Sequence, residues 1–291
     1  MNKIYTKDLG YTFNDNIVKG IKIMTIDIIS DLHIDFYFKD SKQINKRVVL
    51  QLFDRIFRNK QSDILIIPGD LGHNNQQITD IIKIIKDNYY EHIICVLGNH
   101  DYYLLSKNQS KKYLYNSLNR VKELRTMLND IVGVDCLDGT IIEIDGIKFG
   151  GCDSWYDGSY YSTSMSNDDI VKHWKSTMND AKYIKGIDNF YDLVKIEQKK
   201  LDNIYLKSDV IITHISPSIN NLPNYNDDDK SNGYYTFNGE DYLSNTTAKY
   251  WIFGHIHQSH EYEEYEVKCL SNPLGYPKQS KDFSIKTIEI K

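Results

Sequence analysis

The chain has 291 residues, 41% of them hydrophobic and 26% charged, which is enough for a sizeable core and ordinary for a globular protein. A net charge of -5 excludes a broadly basic surface for nucleic acid or an anionic membrane, although bound metal ions can supply positive charge locally. No window nears the roughly 20 apolar residues that span a bilayer, and the N-terminus has no apolar stretch of signal-peptide length.

Residues 1–22 are polar and weakly patterned, an N-terminal extension that supplies an edge strand or an arm. The first core strand is expected at about 23–30 and stops at Asp31-Leu32-His33. Residues 44–59 place apolar side chains at helical spacing. DILIIP then reads as a strand running into Gly69-Asp70, and 76–88 as a second helix. A strand at about 91–97 ends at Gly98-Asn99-His100-Asp101, followed by a Lys- and Tyr-rich helical stretch over 104–130. This β-α-β-α-β alternation predicts a largely parallel sheet. TIIEI and IKFGGC, separated by Asp145-Gly146, predict a hairpin.

Residues 155–207 read as a helical insertion beside the site, with Ile170, Trp174, Ile184, Leu193, Ile196 and Leu201 facing inward. DVIIT ends at His214, and 215–247 form a long polar segment of the kind that makes lids and binding loops. KYWIF ends at Gly254-His255-Ile256-His257, and strands around 261–270 and 283–290 close the chain. No repeat or linker divides residues 1–291, which predicts a single domain. Cys95, Cys136, Cys152 and Cys269 lie far apart without a CxxC pair. They argue against a disulfide framework or thiolate zinc site and for a reduced cytoplasmic protein.

Five apolar runs thus stop at a residue that binds metal. Runs of Ile, Val and Leu with little alternation are buried on both faces of a helix-covered sheet, and ligands bind beyond the carboxyl ends of such strands. Asp31, His33, Asp70, Asn99, His214, His255 and His257 are therefore expected at one edge. Seven donors exceed the four to six that one first-row ion takes, so two divalent ions sharing a bridging carboxylate is the economical reading. Strand alternation would put Asp31 and His33 on one side, and likewise His255 and His257. Gly69, Gly98 and Gly254 are expected where the chain turns sharply before a ligand.

The blocks DxH, GD, GNHD, H and GHxH, in this order, resemble the calcineurin-like metallophosphoesterases from about residue 24 to 278, including SNPLGYP. The resemblance fades in 1–22 and within 155–207. It implies an α/β fold: a four-layer α/β/β/α sandwich of two mixed sheets flanked by helices, with the metal site at the carboxyl ends of the strands. It also implies one ion on Asp31, His33 and His257, another on Asn99, His214 and His255, and Asp70 bridging them. His100 matches a non-ligand histidine that protonates the leaving oxygen or steadies the transition state. The implied reaction is phosphoester hydrolysis by in-line attack of a metal-bridging hydroxide. Manganese or iron is implied, and zinc or cobalt also suits a donor set without thiolate.

The departures from the family pattern bear on substrate. Where protein phosphatases extend the second block to GDxxDRG, this chain reads GDLGHN. Its five arginines (Arg47, Arg55, Arg58, Arg120, Arg125) lie outside every block, so guanidinium capture of a phosphomonoester dianion is poorly supported. That favours a small-molecule or nucleotide phosphodiester. His73 sits where nuclease-like relatives have a histidine facing substrate, although it could simply hold a loop. Trp155, Tyr156, Tyr160 and Tyr161, with Tyr225, Tyr234, Tyr235 and Tyr242, could stack on a base or sugar, Tyr156 being the candidate contact, or could simply pack together. The run Asp227-Asp228-Asp229 reads as a solvated loop that repels long polyanions. DNA or RNA cleavage and small-molecule phosphomonoester hydrolysis are the alternatives. A non-catalytic scaffold, as in a retromer subunit of this fold, is disfavoured because every ligand position is filled. No protein partner and no membrane association are expected.

Overall fold

The computed structural model describes residues 4–5, 23–38, 44–223 and 231–291. Two mixed sheets lie face to face between helices. The larger has seven strands in the order β1 (Ile4–Tyr5), β6 (Thr140–Ile144), β7 (Ile147–Gly151), β8 (Val210–Ile212), β9 (Tyr250–Ile252), β11 (Val267–Ser271) and β10 (His260–Glu264). The smaller has five: β12 (Lys286–Ile290), β2 (Met24–Ile28), β3 (Ile64–Pro68), β4 (His92–Val96) and β5 (Val134–Cys136). β2 to β5 pair in parallel, and β12 runs antiparallel against β2. In the larger sheet β7, β8, β9 and β11 are mutually parallel, while β6 and β10 pair antiparallel with β7 and β11.

Alternation within each apolar run explains the layering. Ile26 and Ile28, Ile64 and Ile66, and Ile94 and Val96 point between the sheets, where they meet Phe149, Val210, Ile212, Ile252 and Leu270. Their neighbours Leu65, Ile67, Ile93 and Cys95 point the other way, under helices α2 (Lys46–Ile56), α3 (Asn75–Asn88) and α5 (Ser117–Asn129). Helix α8 (Tyr191–Ile204) packs on β6 and β7 from the opposite side. Both faces of each central strand are therefore buried, as the lack of alternation in polarity requires.

Several expectations change in detail. The helical stretch 104–130 is two helices, α4 (Lys107–Lys112) and α5, broken at Leu114 and Tyr115, both exposed and both with positive φ. Asn116 then caps α5 by accepting from Leu118 N. The hairpin forms at Asp145 and Gly146, whose φ of 50° and 86° give the left-handed pair that a two-residue loop needs. From residues 1–22, the described pair Ile4–Tyr5 adds a parallel edge strand to β6. Tyr225 and Asp227-Asp228-Asp229 lie outside the described residues. Among the described residues no helix is long and apolar enough to cross a membrane. All four cysteines are buried and unbridged.

Ile66 is fully buried between the sheets. Ile66→Ala should cost about 2–5 kcal/mol, read as a lower urea midpoint with an unchanged slope.

Candidate metal centre

Parallel strands of both sheets end at the same edge. Beyond β2 come Asp31 and His33; beyond β3, Asp70; beyond β4, Asn99 and His100. His214 follows β8, and His255 and His257 follow β9. Strand alternation does not bring the paired residues together, contrary to the expectation. Asp31, His33, Asp70, His255 and His257 all lie past their strand ends in left-handed backbone, with φ between 40° and 69°. Such a conformation costs a non-glycine residue about 1–3 kcal/mol and persists only where its surroundings over-determine it. Here they do: His33 N donates to Asp70 O (3.0 Å), Asp31 N to Gly69 O (3.2 Å), and His255 N to Asp31 Oδ1 (3.0 Å).

Two donor sets result. In one, Asp31, His33, Asp70 and His257 each present an atom within 4.8 Å of the others; in the second, Asp70, His214 and His255 do so. Asp70 belongs to both. His33 Nε2 is 3.5 Å from Asp70 Oδ2, and His214 Nε2 is 3.4 Å from Asp70 Oδ1. Asn99 Oδ1 joins the second set, 3.1 Å from His214 Nε2.

The outward nitrogens of three histidines have acceptors, which assigns their tautomers. His214 Nδ1 donates to Pro68 O (2.8 Å), His255 Nε2 to Tyr234 O (3.0 Å) and His257 Nδ1 to Gln279 Oε1 (3.1 Å). Each inward nitrogen therefore carries a lone pair, the arrangement of a metal-binding imidazole. Burial, then the neighbouring imidazoles, pushes His33 and His255 well below the usual histidine pKa, so they stand neutral. Burial, then Asp31, pushes Asp70 well above the usual carboxylate range. Lone pairs and carboxylates converging in a buried space with no cationic side chain among them fit divalent cations.

A third acidic group, Asp138, Asp153 and Glu197, is different. Arg125 Nη2 sits 2.7 Å from Asp153, and Lys200 Nζ is 2.6 Å from both Asp138 and Glu197. Its charge is already compensated. Asp153 serves the centre at one remove, accepting from Leu97 N (2.8 Å) while its carbonyl takes His214 N (2.9 Å). Asp101, the last residue of GNHD, accepts from Leu71, Gly72 and Gly98 N and so clasps two ligand loops. Arg120, fully buried, donates to Gly72 O, His100 O and Tyr103 O. Both buried arginines thus serve architecture.

The glycines act through closeness more than through freedom of φ. Gly69 does have a φ of +89°, but Gly98 is extended (φ -111°). A Cβ on Gly98 would come 2.2 Å from Asp70 Oδ1 and 2.6 Å from His214 Cε1.

His73 is the second informative histidine. Its Nδ1 lies 2.6 Å from Asp35 Oδ2 and its Nε2 2.9 Å from His100 Nδ1. With Nδ1–H donated to Asp35, His73 Nε2 accepts from His100 Nδ1–H and leaves His100 Nε2 unencumbered. Tyr156, expected against substrate, is fully buried instead: its hydroxyl donates to Asp180 Oδ2 (2.6 Å) and accepts from Trp174 Nε1 (2.6 Å). It packs against Tyr234, which in turn meets Tyr161, so these rings join the helical segment to the later loop. Sequence reasoning had no role for Tyr276, which stacks on His33 at 4.7 Å, or for Asp35 and Asp180. SNPLGYP signalled Tyr276; nothing local signalled Asp180.

A cleft of about 460 Å³ opens on the two sets. It is lined by Asp70, Asn99, His100, His255 and His257, with Tyr103, Tyr235 and Tyr276 as walls and Thr177, Met178 and Asn179 closing one side.

A model of the calcineurin-like phosphoesterase family matches residues 24–259. The chain belongs to this family. An uncharacterised protein, L509, of Acanthamoeba polyphaga mimivirus is 28% identical over 278 residues, covering 88% of this chain and 92% of the relative. Among solved structures, a phosphopantetheinyl hydrolase from Mycobacterium tuberculosis superposes with a TM-score of 0.70 at 16% identity, over 91% of this chain and 95% of that one. At that identity the likeness establishes the shared fold. Membership points to a metal-dependent hydrolase of phosphoesters.

Gly98→Ala should leave the chain folded yet displace Asp70 or His214. Manganese retained after gel filtration, measured by elemental analysis, is expected to fall well below the wild-type content.

Proposed function

We propose that the chain hydrolyses small-molecule or nucleotide phosphodiesters at two divalent ions, manganese or iron, held by the two donor sets that share Asp70. Asp31, His33 and His257 would hold one, and Asn99, His214 and His255 the other. When bound there, the ions supply a water acidic enough to attack near neutral pH and Lewis-acid stabilisation of the phosphoryl oxygens.

The observation that carries the substrate reading is the cleft's lining. None of the described residues around it is Lys or Arg; besides the candidate ligands, His100 and the tyrosines, the polar groups are Asn179, Gln258, Gln279, Ser231 and Thr177. A phosphomonoester dianion or an extended polyanion would bring charge that these side chains do not meet. A monoanionic diester with an uncharged substituent suits amides and tyrosine rings. A phosphopantetheine-type ester, named in the mycobacterial neighbour, belongs in the same substrate panel.

The chain's own residues supply orientation and a proton. Asp35 and His73 fix the His100 ring so that Nε2 faces the cleft, from which it protonates the departing oxygen. Burial, then the imidazoles of His33 and His73, lowers the His100 pKa well below its usual value. A phosphoryl anion arriving beside the ring favours the imidazolium again, so protonation accompanies substrate binding.

The test is a manganese-supplemented panel of bis-p-nitrophenyl phosphate, p-nitrophenyl phosphate, cyclic nucleotides, a phosphopantetheine ester and single-stranded DNA. A higher kcat/KM for a diester than for the monoester is expected, and preference for the monoester over every diester overturns the substrate reading. His100→Ala should lower kcat about 10²–10⁴-fold on poor leaving groups with manganese content unchanged. Full activity in that variant would remove His100 from the chemistry.

A further inference from the structure

Between β7 and β8 the chain leaves the sheet for helices α6 (Asn167–Thr177), α7 (Asn179–Tyr183) and α8. Helix α7 brings one carboxylate to the metal centre. Asp180 is fully buried, and its Oδ1 accepts from Asn99 Nδ2 at 2.8 Å. The same carboxylate takes the hydroxyls of Tyr103 and Tyr156, and Trp174 Nε1 donates to the Tyr156 hydroxyl. Asp180 forms no ion pair with a cationic side chain among the described residues.

We propose that Asp180 is a positioning residue that locks the Asn99 amide with its oxygen toward Asp70 and His214, and so sets the affinity of one of the two cation positions. This rests on the reading of the centre given above.

The argument follows from what an amide and a carboxylate can exchange. An asparagine side chain presents an oxygen on one side and an NH₂ on the other, and only the oxygen can bind a cation. A carboxylate only accepts. Beside Asp180, the amide must therefore aim Nδ2 at the carboxylate, which leaves Oδ1 beside His214 Nε2 (3.1 Å). Flipping it would set two oxygens together in a buried space. The Asp180 charge also lacks a cationic side chain to offset it, and burying an uncompensated carboxylate is expensive. Three donors, Asn99 Nδ2 and the hydroxyls of Tyr103 and Tyr156, offset that cost together, so the amide cannot turn away without loss.

The feature belongs to the helical segment between β7 and β8. The residues immediately before Asp180, namely Thr177, Met178 and Asn179, also line the cleft. One short turn thus forms a wall of the cleft and anchors a metal-binding amide.

The experiment is calorimetric titration of manganese into the chelator-stripped full chain. Wild type should bind two ions. In Asp180→Asn one position should weaken about 10–100-fold, as for other outer partners of metal ligands, with the second unchanged. Asn99→Ala should weaken the same position, and the double variant should be no worse than Asn99→Ala alone, because Asp180 acts through Asn99. Should Asp180→Asn fail to fold, Tyr156→Phe, which strips one hydroxyl from the carboxylate, should weaken that position more mildly. Unchanged binding by Asp180→Asn, equal weakening of both positions, or additive losses in the double variant would overturn the proposal. A wild type that takes up no manganese would instead overturn the centre itself.

Discussion

Asp70 is the constraint on which the rest depends. One carboxylate serves two donor sets, so its two oxygens face different imidazoles, Oδ2 toward His33 and Oδ1 toward His214. That demand fixes the backbone around it. The residue sits in left-handed conformation, Gly98 must lack a side chain to leave it room, and His100 N donates to its Oδ1 at 2.9 Å.

Around this carboxylate the fold spends its strongest polar interactions on loops. Asp101, Asp153, Arg120 and Arg125 are all buried, and all bind the backbone or each other near the ligand turns. Five left-handed residues in so small a region carry a conformational cost that such bonds must offset. The sheets supply a rigid edge, and the buried ionic groups supply the curvature beyond it. Stability and function therefore draw on different parts of the molecule: apolar alternation between the sheets and charge-assisted bonding at their rim.

Much of this was legible in the chain. Short apolar runs ending in Asp, Asn or His announced both the strands and the edge at which they deliver, because burial on both faces leaves chemistry only to the residues beyond. Counting donors called for a shared carboxylate, and the family resemblance implied that it is Asp70. What stayed hidden depends on contacts between distant segments. Asp35 is one of many acidic residues until His73 is seen beside it, and Asp180 lies 81 positions from the amide it holds. Tyr156 was misplaced because aromatic density shows that rings gather and not whether they face solvent. The pairing of Asp31 with His33 was anticipated for an incorrect reason, since left-handed turns, and not strand pleating, bring them together.

Early and late segments of the described residues meet at the centre. His33 Nε2 and His257 Nε2 are 2.9 Å apart at a sequence separation of 224, and Leu274 N donates to Ser30 O. During synthesis the first donors emerge long before their partners, so the nascent protein passes through most of its length holding acidic and imidazole groups with nothing to close on. Closing a loop of that length costs entropy, and an ion held there would clasp the early and late segments together. A chain truncated before residue 255 would lose β10, β11 and β12 together with His255 and His257, and so could not close the centre.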